Sequence, residues 1–130
     1  MAHYFDSSAL VKLVVPATHS AALHRWWARA SGRAVASEVA RTELVRTVRR
    51  MAPEAEQGCR DLLDTVFLRT VTAEILDSAS RLEPVALRSL DAIHLASALD
   101  LGSDLEGFVT YDERLAAAAR RYGVTVVSPE

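Results

Sequence analysis

Four acids in this 130-residue chain stand where chemistry is possible: Asp6, Glu43, Asp91 and Asp112. Asp6 follows the aromatic pair Tyr4-Phe5 and precedes Ser7-Ser8, while Asp112 follows Phe108-Val109-Thr110-Tyr111 and precedes Glu113-Arg114. In both places a strand is about to give way to a helix, and ligands bind at that edge of an open parallel sheet. Glu43 and Asp91 fall just inside helices, bordering their apolar stripes. Carboxylates gathered in one cleft repel, so something has to hold them together. Hard divalent cations do this, and Mg²⁺ or Mn²⁺ prefers oxygen ligands of this kind. A cation so held activates water and offsets charge on a phosphate under attack. Metal-assisted hydrolysis is the chemistry these residues allow.

Each acid also has an ordinary structural role. Asp6 can be a helix cap and nothing more. Glu43 can pair with one of Arg41, Arg46, Arg49 or Arg50, which crowd its helix. Asp91 complements a helix macrodipole, and Asp112 can cap the helix that follows it. Four such roles converging on one side of a sheet is the less economical account. His94, three residues after Asp91, reads as a satisfied core or surface group rather than a ligand. Asp61, Asp64, Glu74 and Asp77 read as solvated surface.

The elements that must position these acids follow from periodicity and caps. His3 to Asp6 is too short for a helix and leads with aromatics, which suits a buried strand. Ser7 and Ser8 offer cap hydroxyls to a helix through Leu13, and Thr18 does so for a helix carrying Leu23, Trp26 and Trp27 that Gly32 ends. Arg33 to Ala36 is a second strand, and Ser37 caps a helix with Val39, Ala40, Leu44, Val48 and Met51 on one side. Beyond Pro53, Glu54 to Asp64 is helical, Val66 to Val71 a third strand, and Thr72 caps a helix to Leu82. Ser89 caps Leu90 to Leu99, Gly107 to Thr110 is a fourth strand, and Asp112 caps Glu113 to Tyr122 before Gly123. Val124 to Val127 closes the chain as a last strand. Strands alternating with helices, without hairpin signals, predict an α/β three-layer sandwich. Its centre is a parallel sheet of about five short strands with helices on both faces, in one domain over residues 1–130.

The totals set bounds. A hydrophobic share of 50% is enough for a proper core. A net charge of −2 argues against binding polyanions by bulk charge. All fifteen basic residues except Lys12 are arginine, the better fork for phosphate, although a GC-rich genome gives the same bias. Cys59 is the sole cysteine, which excludes an intrachain disulfide and a cysteine-based zinc site. With no leader and no run near about 18 apolar residues, a soluble, cytoplasmic protein without membrane contact is expected. No glycine-rich phosphate loop and no G-x-S-x-G elbow is present.

Four segments together carry a family resemblance: Y-F-D-S-S-A-L-V-K at the start, T-E-L-V-R around Glu43, S-L-D-A-I-H-L-A-S-A around Asp91 and T-Y-D-E-R-L around Asp112. In that order, over nearly the whole chain, they resemble a PIN domain, and more narrowly the VapC toxins of bacterial toxin–antitoxin pairs. The resemblance implies a PIN fold, a Mg²⁺- or Mn²⁺-dependent ribonuclease acting on RNA, and a VapB-like antitoxin partner. It makes Asp6, Glu43, Asp91 and Asp112 the acidic quartet, with Asp6 and Asp91 as the firmest metal ligands. Glu43 and Asp112 complete the site, and the hydroxyls of Ser7 and Thr110 support it. On this reading Arg41, Arg46 and Arg114 are candidates for RNA phosphate and equally for ordinary surface. With few aromatics, base stacking is not expected as the main mode of recognition.

Competing readings are weaker. An aspartyl-phosphate phosphotransferase repeats an acid two residues after its nucleophile, where Ser8 stands here. A receiver domain needs a late lysine, and the only lysine is Lys12. A fold kept purely for protein interaction would not need an intact quartet. Adjacent Trp26 and Trp27 are not expected both to reach the core, so their helix is expected to serve the antitoxin groove and a homodimer contact. Without metal, all four carboxyls are expected to titrate above their ordinary range.

Overall fold

Tyr4 and Phe5 point to opposite faces of a sheet, and that alternation separates the layers of the protein. The computed structural model describes residues 1–130. The strands are β1 (Ala2–Phe5), β2 (Arg33–Ser37), β3 (Phe67–Arg69), β4 (Leu105–Val109) and β5 (Val126–Val127). They form one parallel sheet in the order β3-β2-β1-β4-β5, with Tyr4 opposite Val35 on one side and Phe108 on the other. β1 is buried throughout because sheet and helices cover it from every direction.

The helices are α1 (Ser7–Val14), α2 (Ser20–Arg29), α3 (Ala40–Met51), α4 (Glu56–Thr65), α5 (Ala73–Ser80), α6 (Ser89–Leu99) and α7 (Glu113–Arg121). Phe5, Ala36 and Val109 meet Leu10, Leu23, Leu44, Val48 and Leu63, so α1 to α4 cover one face. Tyr4, Val35 and Phe108 meet Leu95, Ala98, Leu115 and Ala119 of α6 and α7 on the other. Ile75 and Ala79 fix α5 to Ala92 and Ala96 of α6. The expected three-layer parallel architecture is the observed one. No helix is long and apolar enough to cross a membrane.

Boundaries differ where tertiary partners compete with local signals. Asp6, not Ser7 or Ser8, caps α1, since its side chain accepts from the Ala9 N–H. Thr18 does not cap α2, which starts after His19 in a left-handed conformation (φ +71°). Ser37 ends β2, and Ser89 is the first residue of α6 without a side-chain cap. β3 and β5 are shorter than expected, and α5 stops at Ser80. Thr72 and Asp112 do cap their helices, through Ile75 N–H and the N–H groups of Arg114 and Leu115.

The tryptophans are both half-buried. Adjacent helical residues are only about 100° apart, so both indoles straddle the seam between α2 and the sheet. Trp26 meets His3 edge-on at 4.9 Å, and Trp27 meets Phe5 edge-on at 5.1 Å. As expected, the two do not both reach the core: neither is fully buried, and each packs part of its ring against it.

Candidate active site

From β1 the chain proceeds outward to β2 and β3, then returns to build β4 and β5 on the other side. The order reverses between β1 and β4, and such a switch point leaves a crevice at the strand ends. Asp6 follows β1 at this point, and its N–H donates to Val109 O of β4 at 3.2 Å. The Asp6 carboxylate is 3% exposed. Its Oδ1 accepts from Ala9 N at 3.0 Å and from Ser8 Oγ at 2.7 Å, and its Oδ2 accepts from Thr110 Oγ1 at 2.6 Å. Ser8 Oγ accepts in turn from Tyr111 N at 2.9 Å, and Thr110 Oγ1 from Asp112 N at 3.1 Å. The ends of β1 and β4 are thus laced together through Asp6. Burial pushes its carboxyl up, against the opposing hydrogen bonds of Thr110 and Ser8.

Glu43 occupies the first turn of α3. Its Oε1 accepts from Ser7 Oγ and lies 2.8 Å from His94 Nε2. The other ring nitrogen of His94, Nδ1, is 2.8 Å from the Tyr4 hydroxyl. An ionised carboxylate only accepts, so Nε2 carries a proton, and in the neutral form of the ring Nδ1 then accepts from the Tyr4 O–H. Tyr4, His94, Glu43 and Ser7 form one relay, buried at Tyr4 and His94 and opening toward solvent at Glu43 and Ser7. Desolvation raises the Glu43 carboxyl, but the hydrogen bonds from His94 and Ser7 outweigh it and leave the group below its ordinary range. That corrects the expectation of four raised carboxyls. His94, 1% exposed, is a satisfied core histidine as expected. Sequence reasoning missed its contact with the site. The available signal was its place three residues after Asp91, on the same face of α6.

Asp91, in the first turn of α6, and Asp112, at the head of α7, line one cleft of about 410 Å³ with Arg88, Glu113 and Arg114. Burial raises the Asp91 carboxyl first, and repulsion from Asp112 and Glu43 adds to it. Arg88 and His94 oppose the rise. Asp112 Oδ1 accepts from Arg114 N at 2.9 Å and Leu115 N at 3.1 Å. Of the expected phosphate arginines, Arg114 lines this cleft, whereas Arg41 and Arg46 are exposed on α3 and do not. Arg88 does, and the sequence reading passed over it. Ser7 reaches Glu43, and Thr110 reaches Asp6.

No three acidic, histidine or cysteine side chains converge at metal-ligand spacing. The donor chemistry nevertheless fits a hard divalent cation. The four acids offer only oxygen, and none is paired with an arginine or lysine, Glu43 having only His94 as its partner. Arg88 and His94 only partly offset the burial and repulsion that raise Asp91, and a bound cation would offset more.

The chain is similar to known proteins along nearly its whole length. The PIN domain family matches residues 3–121. The chain is 38% identical over 130 residues to Ribonuclease VapC47 of Mycobacterium tuberculosis, covering 97% of this chain and 96% of that one. It is 42% identical over 126 residues to Ribonuclease VapC46 of the same species, again covering 97% and 96%. The crystal structure of Mycobacterium tuberculosis VapC20, described as a Sarcin-Ricin loop cleaving toxin, superposes with a TM-score of 0.77. That match covers 89% of this chain and 94% of VapC20 at 18% identity, a likeness of fold.

Proposed function

Since the chain belongs to the PIN-domain family of VapC-type ribonucleases, we propose that it is the toxin endoribonuclease of a VapBC pair, one domain over residues 1–130 that cuts RNA in the cytoplasm. The observation that carries this reading is the group of carboxylates at the switch point, unpaired with any arginine or lysine. Divalent-metal dependence is general to PIN-domain nucleases, and Mg²⁺ or Mn²⁺ suits an all-oxygen donor set. Asp6 and Asp91 would hold the ion, with Asp112 and Glu43 completing the site. Bound there, it would supply a water of lowered pKa and offset charge on the phosphate.

The chain's own residues do the rest. Ser8, Ala9 and Thr110 hold Asp6 ionisable and fixed, although burial favours its neutral form. Ser7 and His94 engage Glu43 Oε1 and leave Oε2 as the oxygen that can accept from water. Arg88 and Arg114 flank Asp91 and Asp112 and can take phosphate oxygens of the RNA on either side of the cut.

The partner is a VapB-like antitoxin. Phe5, Leu10, Leu62 and Trp27 line an apolar groove of about 450 Å³, a fit for an apolar segment of that chain. The assembly is a homodimer. Leu76 and Leu90 are nearly half exposed and Val85 is 86% exposed, so α5 and α6 suit that contact better than the inward-packed tryptophans. Purified protein incubated with total RNA in Mg²⁺, in Mn²⁺ and in chelator tests the activity. Discrete fragments with metal alone are expected, and identical fragments in chelator, or none with either ion, reject it.

A further inference from the structure

A second cleft, of about 570 Å³, meets the first at Asp112 and Glu113. It is polar, only two of its eleven lining residues being hydrophobic, which suits neither an apolar helix nor a greasy anchor. Its walls carry an aromatic stack. The rings of His19 and Tyr111 lie 5.7 Å apart, centroid to centroid, with planes within 6° of parallel. Tyr111 is held at both ends, its N–H donating to Ser8 Oγ at 2.9 Å and its hydroxyl to Pro129 O at 2.7 Å. Lys12 Nζ stands 4.9 Å from the Tyr111 ring centroid and donates to Thr18 O at 2.7 Å.

Two features mark this stack as more than surface packing. His19 is the one non-glycine residue in the chain with a left-handed backbone (φ +71°), a conformation that costs an L-residue free energy and is enriched at ligand sites. Its ring is brought to Tyr111 by that turn. Lys12 and Arg120, both in the lining, have no carboxylate partner, while Asp112, Glu113 and Glu130 supply the opposite sign. Because Tyr111 lies between Thr110 and Asp112, whatever stacks on the pair is adjacent to the acids.

We propose that His19 and Tyr111 form a stacking platform for one unpaired base of the RNA next to the bond that is cut, with Lys12 and Arg120 taking flanking phosphates. The proposal rests on the ribonuclease reading of the same site. Every base has a π-face, so the platform fixes a single-stranded register without selecting one base by hydrogen bonds. It adds one stacked base to a recognition that composition does not expect to rest mainly on stacking: two rings suffice when the fold places them beside the acids.

The test uses the full chain carrying Asp6→Asn, so that RNA is bound and not consumed. Single-stranded oligoribonucleotides carry 2-aminopurine moved one position at a time, and fluorescence reports stacking while anisotropy reports Kd. Quenching is expected at one position. In the same background Tyr111→Leu and His19→Gly should abolish it and weaken binding by about 5-fold or more. His19→Gly removes the ring yet favours the left-handed backbone, so it decides the matter even where Tyr111→Leu fails to fold. Tight binding with Kd and quenching unchanged in His19→Gly overturns the platform alone and leaves the nuclease standing. No binding by any of these proteins overturns the platform together with the ribonuclease reading.

Discussion

Tyr4→Phe removes one oxygen atom and tests the buried end of the relay. The ring remains stacked on Phe108, with centroids 5.4 Å apart and planes within 9°, so no cavity opens. What is lost is the O–H that donates to His94 Nδ1 across 2.8 Å, inside a region where His94 is 1% exposed. A buried acceptor left without a partner costs about 1–3 kcal/mol. For a domain of this size that lowers Tm by roughly 4–12 °C. The functional loss arises separately. With Nδ1 unpaired, the ring no longer favours the tautomer that donates from Nε2 to Glu43, and cleavage should fall by about 10- to 100-fold, as when outer hydrogen-bond partners of metal ligands are removed. Thermal melts followed by circular dichroism, together with single-turnover cleavage, measure both. A double-mutant cycle with Glu43→Gln should give a clearly non-additive result, because the two residues share His94. An unchanged Tm with an unchanged cleavage rate refutes the relay.

Three further outcomes follow from particular contacts. Asp6 and Asp91 titrate above their ordinary range, so the folded chain holds protons that the unfolded chain releases, and their stabilising share, full below the ordinary carboxylate value, is lost as pH rises through the raised one. Glu43 runs the other way, its share being present above its ordinary value and lost as pH falls through the lowered one. Asp91→Asn in chelator should therefore flatten the loss of stability toward neutral pH and leave the protein as stable or more so, and should cut the Tm gain given by Mn²⁺. A destabilisation of about 1 kcal/mol regardless of metal would instead mark Asp91 as a helix-end charge. Gly32→Ala places a Cβ 2.7 Å from Met1 O at φ +96°, and should lower stability by about 1–3 kcal/mol in denaturant titrations. An unaltered midpoint would show that the α2–β2 turn relaxes freely. Trp27→Ala should weaken antitoxin binding by about 30-fold in calorimetry, the effect of losing a well-packed anchor, and equal affinity removes the groove from the interface.

Local patterns made the layers legible and long-range partners did not. Aromatics at Tyr4-Phe5 and Phe108, followed at once by Asp6 and by Asp112, marked two strand ends without any knowledge of pairing. That β1 lies beside β4 was not readable, since the two strands are separated by most of the chain. The errors at Ser7 and Ser8 have the same origin. Their hydroxyls suit a cap, yet in the fold they donate to Glu43 and Asp6, a stronger use for a short donor beside a buried carboxylate. His94 was read as a satisfied core or surface group and is core, but its partners lie 51 and 90 residues away in sequence, beyond any helical periodicity. The left-handed turn at His19 has no glycine or asparagine to announce it, so the stack with Tyr111 appeared only in three dimensions.

The central claim is that carboxylates at the switch point cut RNA through a bound divalent cation, and Asp6 is the residue most deeply built into that point. Asp6→Asn keeps the size of the side chain and the acceptor for Ala9 N–H while removing the charge. The decisive measurement is the single-turnover cleavage rate of RNA by this variant and by the wild type at saturating Mn²⁺, with far-UV circular dichroism recorded on the same samples. Rapid cleavage by the wild type, abolished in chelator, and none by a natively folded Asp6→Asn is the predicted result. Cleavage by Asp6→Asn at the wild-type rate would contradict the account.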